Sequence, residues 1–223
     1  MDAVWLVCTY MPPTTVHMAI GGLIACALLH EHFDTRAIVI VLAATAILDI
    51  DAFFGVFMTG AHRTVLHNIW LPLGVLALLT WDVKARSNSF VLDRWGKYGW
   101  RVGWVTVVAV LFGHILLDAF YNGANLFWPL HDQFYNLSGH LLISNHQGIE
   151  QTFIELGEDS TTARGSSADV HYWTAVEPPA SEPAENPERI AYVAETGEQI
   201  LLTVIGFGVV LYRIAEYRLS GDN

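Results

Sequence analysis

Apolar residues gather into five runs separated by polar links, and each run is measured against the roughly 20 residues that cross a bilayer. The first covers residues 14–29, introduced by Pro12-Pro13, with Thr14 and Thr15 as candidate N-caps. The link HEHFDTR (30–36) leads to a second run at 37–58, which contains Asp49 and Asp51. A turn at Thr59-Gly60 and the segment HRTVLH (62–67) precede a third run at about 64–81, where Pro72 should introduce a kink. A polar, basic link at 82–101 separates it from the fourth run, 102–120. The fifth, at 200–212 and extending to Arg218, is short and holds Gly206 and Gly208. The pattern predicts an all-α fold, a polytopic membrane helical bundle of four core transmembrane helices plus a fifth.

Between residues 121 and 197 the character changes. The first part mixes aromatics with Gly, Pro and Asn and is expected to pack over the span ends as a cap. The later part, about 157–187, is rich in Ser, Thr, Glu and Pro (EPPASEPAENPE) and reads as an acidic, disordered loop. The expected organisation is a membrane-embedded core at 1–130, an extracytoplasmic cap with acidic loop at 131–197, and a C-terminal helix and tail at 198–223.

Composition sharpens this picture. With 53% hydrophobic residues and a mean hydropathy of +0.38, the chain belongs in a membrane. Its net charge of -11 argues against a nucleic-acid partner. The start MDAVWLVCTYMPPTT lacks a basic region and a small-residue cleavage pattern and reads as mature chain. Cys8 and Cys26 show no CxxC spacing and read as small core residues. Antiparallel threading collects Arg36, Lys84, Arg86, Arg94, Lys97, Arg101, Arg213 and Arg218 on one side, against Arg63, Arg164 and Arg189 on the other. The basic side should be cytoplasmic, leaving the N-terminus outside and the C-terminus inside a multi-pass cell-membrane protein.

Ionisable residues in apolar spans cost about 2.5–3.5 kcal/mol each, so their placement matters. His114 and Asp118 in GHILLD are four apart and share a helical face. The same threading brings His17, Asp49, Asp51, His62, His67, His114 and Asp118 to the outer side. A shared divalent metal would offset their cost. Asp49 and Asp51 lie about 200° apart on a regular helix, so both face one ion only if the helix frays. His62 should precede its helix. Arg63 and His67 share a face, suiting the guanidinium to a phosphate or carboxylate. Mixed His and Asp donors suggest zinc, or manganese in a carboxylate-rich site. Metal-assisted hydrolysis is the favoured reaction class.

His17, LDIDAF, HRTVLH, GHILLDAFYNG and the following Pro129 resemble, in order and spacing, the YdjM-like membrane-bound metal-dependent hydrolases, described as inner-membrane and LexA-regulated. The resemblance covers about residues 12–130 and implies metal ligands at His17, Asp51, His62 or His67, His114 and Asp118. Two positions depart from the pattern: Leu48 stands where a proline is usual, and Asn68 where serine is common. LexA regulation does not follow from these residues. A more distant likeness is to zinc-dependent phospholipases C, which use His-x-x-x-Asp on a helix and a later His-x-x-x-Glu. His114–Asp118 matches the first, and His146–Glu150 is a candidate for the second, with His131 or His140 between. That likeness favours a phosphoester or lipid-related substrate.

The working set is therefore Asp49, Asp51 and Arg63 as catalytic residues and Arg63 with Asn122 toward substrate. His17, Asp51, His62, His67, His114 and Asp118 are the metal ligands, and membrane lipid is the expected partner. The rival class is a proton- or cation-coupled transporter that uses the same residues as a conduit. A structural cluster that only fixes helix packing is the third reading. Asn122 and Asn125 alternatively cap the helix end, and Trp70, Trp81, Trp95, Trp100, Trp104 and Trp128 read as interface anchors.

Overall fold

The computed structural model describes residues 11–146, 148–154, 162–172, 174, 176 and 191–220. Cys8 and most of the acidic loop lie outside them. The chain divides into two compact units. One comprises Pro12–Leu48, Ile69–His114 and Val193–Asn223; the other comprises Met1–Met11, Asp49–Asn68 and Ile115–Tyr192.

The first unit is helical. α1 (Thr14–Leu28) packs against α2 (Thr35–Ala46), α4 (Phe90–Val110) and α6 (Gly197–Ser220), and α3 (Trp70–Lys84) packs on α4. Its core includes Ala25, Leu29, Ile38, Val41, Val105 and Val210. Between apolar helices, close backbone approach replaces the hydrophobic drive found in water, so small residues mark the contacts. A Cβ on Gly206 of α6 would meet the Cβ of Ala19 at 2.7 Å, and one on Gly22 would meet Val210 at 2.6 Å. Gly21 sits where three helices meet: a Cβ there would strike Thr45 Oγ1 at 2.6 Å, and one on Gly113 would lie 3.1 Å from the Gly21 nitrogen.

Local sequence sets the helix ends, not always as expected. α1 begins at Thr14 after Pro13 with no side-chain cap; the Thr15 hydroxyl instead donates to the Val193 carbonyl at 2.8 Å. Asp34 caps α2 by accepting from the Ala37 amide at 2.6 Å, and it also accepts from the Tyr98 hydroxyl at 3.0 Å. Pro72 makes no kink, because α3 starts at Trp70 and the proline lies in its first turn, where no amide hydrogen is needed. α4 starts at Phe90, well before residue 102, because Ser89 caps the Leu92 amide at 3.0 Å. Its break comes at Gly96, whose φ of 62° only glycine adopts without strain. The fifth run forms a full 24-residue helix.

Three helical stretches among the described residues are long and apolar enough to cross a membrane: Thr35–Val56, Phe90–Tyr121 and Gly197–Ser220. α1 and α3 have 15 residues each, about 22 Å at 1.5 Å per residue against a hydrocarbon core near 30 Å. Of the five expected spans, three meet the length requirement among the described residues. α2 continues as a 3-10 helix over Ile47–Val56. α4 continues through a π turn, Leu111–Ile115, into α5 (Leu116–Tyr121).

The second unit departs from all-α. β1 (Phe134–Tyr135) pairs antiparallel with β4 (Ala163–Gly165), and β2 (Leu141–Ser144) forms a hairpin with β3 (Gly148–Gln151). Apolar alternation this short falls below what a sequence pattern resolves. Residues 64–69, expected to open the third span, are turns and bends rather than helix.

Candidate metal centre

In the second unit the site is built around Asp51, which is fully buried on the 3-10 turn. Its Oδ1 lies 2.8 Å from His62 Nδ1 and its Oδ2 lies 2.8 Å from His67 Nδ1, while the Leu66 amide donates to Oδ2 at 3.3 Å. An ionised carboxylate only accepts, so both Nδ1 atoms carry protons and the opposite nitrogen, Nε2, is the one able to bind metal. His67 Nε2 lies 3.3 Å from Asp118 Oδ2 and 3.7 Å from Asp49 Oδ1. His62 precedes α3, as expected, and its ring meets that of His67 edge-on with centroids 5.4 Å apart.

Arg63 is buried beside this group, and its backbone φ of 63° is unusual for a side-chain-bearing residue. Nη2 donates to Asp118 Oδ1 at 2.7 Å. Nη1 donates to the Asn122 side-chain oxygen and, at 3.3 Å, to the Gly123 carbonyl. The guanidinium lies over the Tyr172 ring at 4.7 Å, and the Tyr172 hydroxyl donates to the Asn122 carbonyl at 2.6 Å. The Arg63 carbonyl accepts from the Asn125 amide at 2.9 Å. Sequence reasoning missed Tyr172: it sits in a polar stretch with no periodicity, and no local signal marks it.

In the helical unit His17 and His114 stack face to face, with centroids 3.7 Å apart and planes 9° from parallel. His17 Nδ1 donates to the Gly113 carbonyl at 3.0 Å, and His114 Nδ1 donates to the Thr45 carbonyl at 2.6 Å. Gly21 makes room for both by leaving no side chain between Thr45 and the π turn. Carbonyls only accept, so each Nδ1 carries the proton and Nε2 is the ring nitrogen with a lone pair to offer. These backbone partners carry no sequence signal of their own.

The donors fit a transition-metal ion. Bonds of 2.0–2.2 Å around a tetrahedral centre place donors about 3.3–3.6 Å apart. The separations from His67 Nε2 to the Asp118 and Asp49 oxygens, 3.3 and 3.7 Å, are on that scale.

Other expected residues fall elsewhere. His146 lies in the hairpin turn and Glu150 on β3, so this His-x-x-x-Glu is not on a helix. The His140 ring contacts the Thr152 hydroxyl at 3.2 Å, and His131 lies beside Tyr135. Asn125 donates to Asp132 Oδ1 at 2.6 Å, and Ser167 donates to Asp132 through its hydroxyl and amide at 2.8 and 3.0 Å. Burial alone would raise the Asp132 carboxyl, but these donors hold it below the usual range.

The model of the family described as YdjM inner membrane protein matches residues 11–176, which include all the residues of both histidine groups. No curated protein and no solved structure matches the chain. The match takes in most of the chain and agrees with its long apolar helices, so this chain belongs to the YdjM inner membrane protein family.

Proposed function

We propose that the chain is an integral-membrane, metal-dependent hydrolase. The observation that carries this reading is a regularity: each of His17, His62, His67 and His114 has Nδ1 held by an oxygen acceptor. Metal-binding imidazoles are oriented in this way, by a carbonyl or carboxylate behind the ring. A structural cluster needs no such uniformity. A proton conduit is disfavoured at His17 and His114, because a backbone carbonyl cannot pass a proton onward.

In the second unit His67 and Asp118 would hold the ion, zinc or manganese, because His67 Nε2 lies 3.3 Å from Asp118 Oδ2. When bound, it supplies Lewis acidity and makes water a better nucleophile near neutral pH. Asp51 acts as a positioning residue that fixes two imidazole tautomers. Arg63 is a positioning residue as well: its hydrogen bonds to Asp118 and Asn122 support that role over contact with a substrate anion. Asp49, whose side chain is 26% exposed, is the group placed to take a proton from water. His17 and His114 present a second, separately testable pair of ring nitrogens.

A phosphoester, and first a membrane phospholipid, is the substrate class to test. Purified protein with added zinc or manganese is presented with mixed micelles of phosphatidylglycerol and, separately, a soluble nitrophenyl phosphodiester. The reading expects release of product that chelator, His67→Ala and Asp49→Asn each abolish. Turnover unaffected by all three, or none on any ester tested, counts against it.

A further inference from the structure

The helical unit holds a cavity of about 460 Å³ lined by α2, α3 and α4, with a wall that is almost wholly apolar. α2 and α4 run in the same direction: Tyr98 near the start of α4 bonds Asp34 at the start of α2. The lining therefore has two distinct ends. One carries Arg36, Trp95 and Tyr98; the other carries Ile47, Leu71 and Val110. Its α-helical lining runs from Arg36 to Ala44 and from Tyr98 to Val110, roughly 12 and 18 Å at 1.5 Å per residue.

We infer that this groove is a binding site for one acyl chain of an anionic phospholipid, with the headgroup phosphate at Arg36. Length supports it: one leaflet of a hydrocarbon core near 30 Å is about 15 Å deep, within the reach of the groove. A helix about 10 Å across and 20 Å long fills on the order of 1500 Å³, more than the roughly 1100 Å³ of empty space in the groove. Charge sets the direction and the headgroup. Arg36 is exposed at one end, and an arginine fork matches a phosphate. Trp95, 43% exposed beside it, has the amphipathic ring that favours the headgroup level. The inference rests on membership of an inner-membrane family and is independent of the metal reading.

The test is native mass spectrometry of the full chain released from micelles containing equal amounts of dioleoylphosphatidylglycerol and dioleoylphosphatidylcholine. The wild type should retain one lipid per chain, with phosphatidylglycerol favoured at least fivefold. Arg36→Gln should retain lipid but lose the preference. Ala44→Phe, which fills the groove, should lower retention at least tenfold. As a control independent of the folding of Ala44→Phe, a diazirine-acyl phosphatidylglycerol is photolysed with the wild type, and adducts should map to Val75 and Val107 inside the groove. Four results overturn the proposal: no lipid retained, no headgroup preference in the wild type, retention unchanged in Ala44→Phe, or adducts confined to residues outside the lining. A dimer that Ala44→Phe dissociates would assign the groove to a second copy and overturn it equally.

Discussion

His67 donates its Nδ1 proton to Asp51 at 2.8 Å while Asp51 holds His62 through its other oxygen, so one carboxylate sets the tautomer of two rings. An asparagine there has one accepting oxygen and one donating NH₂. One of the two rings would have to flip its proton to Nε2 and lose its metal-binding nitrogen. Asp51→Asn should weaken metal affinity about 10–100-fold, the usual effect of losing such a partner. Chelator competition measures the affinity, and imidazole ¹⁵N shifts report the tautomer. Unchanged affinity would remove Asp51 from the positioning role.

Arg63 and Asp118 form a buried pair, and removing one partner strands the other charge. Arg63→Ala should destabilise the protein by about 3–5 kcal/mol, as expected for a broken buried ion pair. Its backbone adds a finer expectation. At φ 63° alanine is strained and glycine is not, so Arg63→Gly should be milder than Arg63→Ala by about 1 kcal/mol. Thermal unfolding in detergent compares the two.

Much of this site was legible from spacing. The histidines and aspartates stood out because charge is costly in apolar runs. The tautomers were not legible: the Thr45 and Gly113 carbonyls that set two of them have no residue-type signature. The bend that brings Asp51 to both His62 and His67 uses a 3-10 turn and a positive φ at Arg63, and neither alters the hydrophobic pattern. The expected role of Arg63 toward a substrate anion came from helical geometry, but residues 62–67 are not helical. The short strands of the second unit were missed for the same reason: their pairing is set by contacts distant in sequence.

Helix packing gives a paired test at two glycines on α6. A Cβ at Gly206 meets Ala19 backbone atoms at 2.9–3.0 Å, whereas one at Gly208 meets nothing within 4 Å. Gly206→Val should cost about 1–3 kcal/mol from overpacking. Gly208→Ala should be neutral or slightly stabilising, since alanine favours helix. Equal effects would show that α1 and α6 do not pack as described.

Acid sensitivity should report on Asp82, beyond the apolar part of α3. The Val91 amide donates to its Oδ2 at 2.9 Å, the Ser89 hydroxyl at 2.7 Å, and the Phe90 amide and Arg86 reach Oδ1 at 3.1 and 2.6 Å. These donors, the Val91 amide foremost, lower its carboxyl to about 2. A lowered folded pKa stabilises the native state above the unfolded value near 3.9, and the contribution is lost as pH falls from there through about 2. Asp82→Asn should lower Tm at pH 6 and flatten the Tm profile between pH 4 and 2. A parallel profile would contradict the capping role.

Metal content decides the central claim most directly. Protein purified without chelator, then incubated with zinc or manganese and desalted, is analysed by elemental mass spectrometry against His67→Ala. The account predicts about one or more equivalents of metal per wild-type chain and loss of most of it in the variant. A wild type that binds no metal, or a folded His67→Ala protein that binds as much, would contradict it.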